Sequence, residues 1–284
     1  MTISLSTAAK KEFDSEVLQE FQGAGVIRNA VSLRTNVMAS TYQFNGLGKG
    51  TAQQKNTHED VPVMDAAHTQ TLATLSQWFA ADYTDFFSNE EAPIEERQEL
   101  VKTITSALGR RLDQLVIDQI KNATISYAGA STVAVSVGGA NTGLNVAKLR
   151  AASKIMDAKG VPMNDRYLVA HSNGKHDLLA DNEATSADFV NIKALINGDI
   201  DAFYGFKFVW IDNRDEEGGM PLATNTRENY AFHKSAIGLA IGNEVNTDVD
   251  WIPTKDSWLT KGKMRAGAIA RNTNGLVLVN TYEA

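Results

Sequence analysis

Residues Pro93 to Lys121 carry the pattern that most restricts how this chain folds. Leu100, Ile104, Leu108, Leu112 and Leu115 recur at helical spacing and share one face. Pro93 stands in the first turn, where its missing N–H costs nothing, and glutamates surround it at the end of the macrodipole that favours acids. Arg110, Arg111 and Lys121 lie towards the far end, where cations are favoured. The helix is roughly 43 Å long at about 1.5 Å per residue, longer than an ordinary globular helix and suited to a structural beam. Leu108 and Leu112 are expected to anchor it on a sheet.

Upstream, residues 1–40 read as an arm. Phe13, Val17 and Phe21 suggest a short amphipathic helix over Asp14 to Phe21, and Gln22 to Gly25 break it. Tyr42-Gln43-Phe44 alternates as a strand, Gly46 to Gly50 is a glycine-rich turn region, and residues 51–60 are almost wholly polar. Thr69 to Phe87 returns as a second extended run. Two strands with a polar tip predict a long projecting hairpin. A lone hairpin is marginal in water, so the projection makes sense where a neighbouring molecule supplies contacts.

Downstream, residues 124–140 are small and β-branched. Asn141-Thr142 is expected to cap a helix carrying Val146, Leu149, Ala152, Ile155 and Met156, which Gly160 and Pro162 end. Arg166 to Ala170 reads as a buried strand, followed by a short helix capped by Ser172 or Asn173. A further helix is expected from Ala187 to Ile196. Gly205 to Ile211 and Tyr230 to Ile241 read as strands. Lys263 to Tyr282 reads as two strands around Asn272-Thr273-Asn274-Gly275, whose Asn-Gly pair signals a hairpin. The fold class is α+β, without repeats or low-complexity segments.

The residue chemistry offers little to an enzyme. Across 284 residues there is no cysteine, which removes disulfides, thiol catalysis and cysteine-based metal sites. The net charge of -7 argues against a dedicated nucleic-acid binder. Met1 to Lys11 lacks the apolar core of a secretory leader, and no run reaches the ~18 apolar residues of a membrane span. His171 and His176 are five apart and His58 and His68 ten apart, neither a helical metal spacing. His58-Glu59-Asp60 sits among polar residues and reads as a solvated loop tip rather than a metal site. His171-Ser172 lacks the Gly-x-Ser-x-Gly elbow, so a helix cap is a better reading than a hydrolase nucleophile. Gly138 to Gly143 leads into a helix like a phosphate loop but lacks the Lys-Ser/Thr pair. Asp212 to Glu217 reads as a solvated acidic run. Trp78, Phe79, Tyr83, Phe86 and Phe87 offer stacking surfaces, but no Lys or Arg occurs between Met64 and Asn89, so packing is favoured over base stacking. No catalytic, cofactor-binding or metal-ligating residue is assigned.

The order of elements, together with Leu144 to Arg166, Tyr167 to Ser172, Gly198 to Asn213 and Asp248 to Thr281, resembles the major capsid proteins of tailed bacteriophages. The resemblance covers nearly the whole chain. It implies the Hong Kong 97-like fold: N-terminal arm 1–40, extended loop (E-loop) 41–88, peripheral domain with spine helix 89–129, axial domain 130–245, and peripheral return strands 246–284. It implies no enzyme activity and no cofactor. The expected partners are copies of the same chain in hexamers and pentamers of an icosahedral shell, a separate scaffolding protein (as in the short-tailed-phage type), a portal protein, and double-stranded DNA held by weak non-specific contacts. Arg28 and Arg34 on the arm are candidates for such contacts. The expected location is the virion, assembled in the bacterial host cytoplasm, with no membrane. An encapsulin-type compartment shell is the nearest alternative, and a hydrolase using Ser172 and His171 a remote one. Some members form Lys-Asn cross-links. Lys49 and Lys55, with Asn272, Asn274 and Asn280, supply the residue types, but no catalytic glutamate can be assigned and solvated loop residues are the simpler reading.

Overall fold

The computed structural model describes residues 25–85, 96–125, 131–181, 202–214 and 219–283. The beam is present as helix α1, Glu96–Ile125. It lies on one face of a four-stranded sheet formed, in spatial order, by β1 (Ser32–Arg34), β11 (Ile237–Ile252), β12 (Ser257–Ala270) and β4 (Ser76–Asp85). Strand numbers follow chain order. Ile104, Leu108 and Leu112 are buried as the spacing predicts, and Val116, Ile117 and Ile120 continue the inward stripe.

The sheet is built for two different coverings. In Ile237-Gly238-Leu239-Ala240-Ile241-Gly242 the odd positions are large and the even ones small. Successive strand residues point to opposite faces, so the sheet turns Ile237, Leu239 and Ile241 into the core shared with α1 and leaves a face of small residues outside.

The second sheet has seven strands. Its order is β5 (Thr132–Val133), β13 (Leu276–Tyr282), β10 (Thr226–His233), β6 (Arg166–His171), β8 (Phe206–Ile211) and β7 (Ala202–Phe203), with β9 (Leu222–Ala223) also on β10. Helices α2 (Val146–Ala158) and α3 (Ser172–Ala180) belong with it. Alternation divides its residues between two cores. Leu168, Ala170, Ala231, Val277 and Val279 join Leu149, Ala152 and Met156 of α2. Val169, Tyr230, Phe232 and Leu276 join the α1 core. One long helix therefore holds both sheets together.

Several expectations need correction. The run Tyr230 to Ile241 is two strands, because a 3₁₀ turn at Lys234–Ala236 passes the chain from one sheet to the other. Asn272 to Gly275 is not a hairpin turn. The Asn272 side chain accepts the Asn274 N–H and caps a 3₁₀ turn, Thr273–Gly275, that again changes sheets. β13 carries buried residues on both faces, so it fits between β5 and β10 rather than beside β12. β12 and β13 thus lie in different sheets, and β11 joins the four-stranded sheet from Ile237. The α2 cap is Asn145, whose side chain accepts the Lys148 N–H. Asn141 instead takes a positive φ of 53°, and Thr142 ties down the preceding turn through Val135 and Val137 carbonyls. The helices expected over Asp14 to Phe21 and Ala187 to Ile196, and the start of the beam at Pro93, lie outside the described residues.

Candidate functional site

The projecting hairpin forms, but the run expected from Thr69 to Phe87 is not one arm: it divides at Leu75, and β4 leaves the hairpin to pair with β12 in the four-stranded sheet. Strand β2 (Thr41–Leu47) pairs antiparallel with β3 (His68–Thr74), from Thr41 opposite Thr74 to Leu47 opposite His68. Its base sits on the small-residue face of the four-stranded sheet. Phe44 and Ala73 are buried there with Val37, Leu75 and Ala240, and Tyr42 and Ile269 pack at the margin. The approach is close enough to exclude side chains beneath it. A Cβ on Gly238 would lie 2.6 Å from the Phe44 ring, and one on Gly267 would lie 2.0 Å from the Thr74 carbonyl oxygen. Two arginines secure the edges. Arg271 covers the Phe44 ring at 4.9 Å and donates to the Asn45 carbonyl, while Arg265 donates to the Val37 and Met38 carbonyls. Sequence reasoning found the hairpin and missed this seat. The alternation of small and large residues in Gly238 to Gly242 is the signal that would have revealed it.

Past the bond from Gly48 N–H to the Ala67 carbonyl, the tip is exposed apart from partial cover at Pro62 and Ala66. It presents apolar side chains to solvent: Val61 is 73% exposed and Val63 84%. The Glu59 carboxylate accepts the backbone N–H and side-chain amide of Asn56, which holds it below its ordinary pKa. His58-Glu59-Asp60 is therefore part of a hydrogen-bonded turn. Lys49 donates to the Lys159 carbonyl at the C-terminus of α2, a favourable end for a cation.

On β4, an edge strand of the four-stranded sheet among the described residues, Trp78 turns inward beneath Arg111 of α1 at 3.8 Å. Phe79 and Tyr83 face outward, with Lys255 over the Tyr83 ring at 3.9 Å. Phe86 and Phe87 lie outside the described residues. On the same outer face, Lys263 pairs with Asp248 and Lys261 with Asp250. Arg28 is held by both carboxylate oxygens of Glu244, at 2.8 and 2.7 Å, in an exposed ion pair.

The remaining candidates resolve into structural roles. His171, not Ser172 or Asn173, caps α3: its Nδ1 accepts the Asn173 N–H. That leaves Nε2–H to donate to Asn213 Oδ1 at 2.9 Å, so both ring nitrogens are occupied and neither serves Ser172 as a base. Burial, reinforced by Arg227, lowers the His171 pKa. Glu283 accepts from Arg227 and Asn173, and the Arg227 bond holds its carboxyl low. At the loop before α2, Asp181 accepts the Val146 N–H and Asp177 the Leu144 N–H. Lys148 points back at the Thr142 and Gly143 carbonyls. The adjoining cavity of about 400 Å³ is lined by those two carboxylates and is wrong for phosphate. Burial raises Asp177 and pushes Lys148 down to about 8. Of the acidic run, Asp212 pairs with Arg214, and residues 215–217 lie outside the described residues. Asn272 caps its turn, as above, and is engaged locally.

The structure thus presents a hairpin seated on a helix-backed sheet, with both sheets packed on one long helix. A family profile described as a phage capsid protein matches residues 5–283. This chain belongs to the phage capsid protein family. Its fold is that of the Hong Kong 97-type capsid structures. The capsid of cyanophage P-SCSP1u is similar with a TM-score of 0.75 at 16% identity, covering 98% of this chain and 94% of that one. A structure from Mycobacterium phage Che8 gives 0.74 at 14% identity, covering 97% and 98%. The capsid of cyanophage Pam1 gives 0.70 at 13% identity, covering 100% and 99%. No curated protein sequence matches. The capsid protein is a structural, non-enzymatic component of the virion. No helix among the described residues is long and apolar enough to cross a membrane.

Proposed function

We propose that this capsid protein closes an icosahedral shell from hexamers and pentamers around double-stranded DNA, with the hairpin reaching over a neighbouring copy. In this reading the four-stranded sheet and α1 form the peripheral domain, the seven-stranded sheet with α2 and α3 the axial domain, and residues 41–74 most of the E-loop. The observation that carries it is the tip. Residues 48–67 lie almost wholly in solvent and show Val61, Val63 and Met64, while the hairpin base is anchored through buried Phe44 and Ala73. A projection of this kind gains stability from a second copy, and modest contacts repeated around a closed shell add up. The net charge of -7 disfavours tight phosphate binding, so DNA is held weakly and remains able to slide. A separate scaffolding protein and a portal protein complete the assembly, which takes place in the host cytoplasm.

The test is deletion of residues 50–64, which removes the tip and leaves the paired strands. The variant subunit is expected to keep its circular dichroism spectrum and to lose particles in negative-stain images. Normal particles from the deletion variant would refute the neighbour-reaching role.

A further inference from the structure

Asp113 lies on α1 with its side chain 1% exposed, an unusual place for a carboxylate. Three chain segments converge on it. Its Oδ2 accepts the Val26 N–H at 2.8 Å and its Oδ1 the Ile27 N–H at 2.9 Å. These amides open the 3₁₀ turn Ile27–Ala30, which no side chain of its own caps. Arg214, also 1% exposed and located just after β8, donates Nη1 to Oδ2 at 2.9 Å and Nε to Asp212 at 3.0 Å. One turn earlier on the helix, the chain crosses at backbone contact: a Cβ on Gly25 would stand 2.7 Å from the Gly109 carbonyl oxygen. Beyond the crossing, Ile27, Ala30 and Val31 are buried in the α1 core.

We propose that Asp113 is a shared latch, through which the loop after β8 and the spine helix together hold the root of the N-terminal arm, so that a change at Arg214 is felt at Val26 and Ile27. The physical reason is the mutual dependence of buried charges. Burial disfavours the Asp113 carboxylate and pushes its pKa up, while the two amides and Arg214 act in the other direction. Without Arg214 the carboxylate protonates or draws in water, and either change weakens it as an acceptor for the two amides. The seven-stranded sheet thereby communicates with the arm root, although Arg214 is not what those amides bond to.

The experiment is hydrogen exchange on the full chain, comparing Arg214→Gln and Asp113→Asn with the parent. Both substitutions are expected to speed exchange at residues 26–31 by roughly tenfold to a hundredfold, the range for a buried polar group losing its partner. Exchange in α2 and β10 should stay as in the parent. Faster exchange at 26–31 in Asp113→Asn with none in Arg214→Gln would overturn the coupling, and so would uniform acceleration along the chain. Should both variants fail to fold, Gly25→Ala disturbs the crossing without touching a charge. Coupling is reciprocal, so it should accelerate exchange at 212–214 as well as at 26–31. Unchanged exchange at 212–214 would refute the latch.

Discussion

Gly238→Ala gives a sign test of the hairpin seat. In an open strand position, replacing Gly by Ala is expected to stabilise by about 0.5–1 kcal/mol, because glycine loses more freedom on folding. Gly238 is not open. The added methyl would meet the Phe44 ring at 2.6 and 2.7 Å and the Arg271 Cδ at 3.0 Å. Phe44 is 5% exposed and enclosed by Val37, Ala73, Leu75 and Ala240, so its ring has little space to retreat. Overpacking of this kind costs about 1–3 kcal/mol and exceeds the entropic gain. The variant should therefore be less stable, with the loss concentrated in β2 and β3. Urea denaturation of unassembled subunits reads the total, and hydrogen exchange reads its location. Phe44→Leu removes the ring atoms that collide, so the double variant should recover part of the loss, with a coupling of about 0.5–3 kcal/mol. Stabilisation by Gly238→Ala, or strict additivity in the double variant, would refute the seat.

Leu108 is 2% exposed, so Leu108→Ala should cost about 2–5 kcal/mol, seen as a lower urea midpoint at unchanged slope; an unmoved midpoint would show that this face of α1 is not the packed one. The His171–Glu283–Arg227 network predicts acid sensitivity. Both His171 and Glu283 have folded pKa values below their ordinary 6.5 and 4.5, so the unfolded chain binds more protons as pH falls through each value and stability drops in two steps. Glu283→Gln should shrink the lower step in a urea-midpoint series against pH. Lys148 behaves the other way at high pH: with its folded pKa near 8 against 10.5, stability should rise between those values, and Lys148→Met should flatten that rise.

What the sequence revealed and what it hid follow from the range of the interactions. The beam, the hairpin and the β8 strand were legible because their signals repeat locally: Ile104, Leu108 and Leu112 at helical spacing, and Phe206 to Ile211 as an apolar run. The sheet changes at Lys234–Ala236 and Thr273–Gly275 were not legible, since short 3₁₀ turns look like strand continuation or a hairpin loop until the partner strands are known. Asn274-Gly275 misled because asparagine caps turns as readily as it enters hairpins. The caps shifted by a few residues for the same reason: Asn141, Thr142 and Asn145 are all competent, and only the Lys148 N–H decides among them. The partners of Asp113 were not legible. The spacing of Asp113 from Val116, Ile117 and Ile120 puts it on the inward face of α1, but its partners Val26, Ile27 and Arg214 are dozens of positions away and no local pattern names them.

The two seatings of the hairpin and the body differ in strength, and that difference suits a shell subunit. The body core runs from Ile27 through α1 to both sheets, whereas the hairpin base rests on five buried residues and two arginine edges. Local opening free energies scale with such contacts, so the hairpin is expected to open well below the global unfolding limit. Under the proposed assembly from hexamers and pentamers, a projection that adjusts while the body stays fixed would let one fold meet both surroundings. Small residues at Gly238, Ala240 and Gly267 achieve this by shape: they admit the hairpin closely but give it little side-chain surface to grip. Larger residues there would either expel the hairpin or, with compensating changes above, lock it, and under the proposed assembly both outcomes work against shell closure.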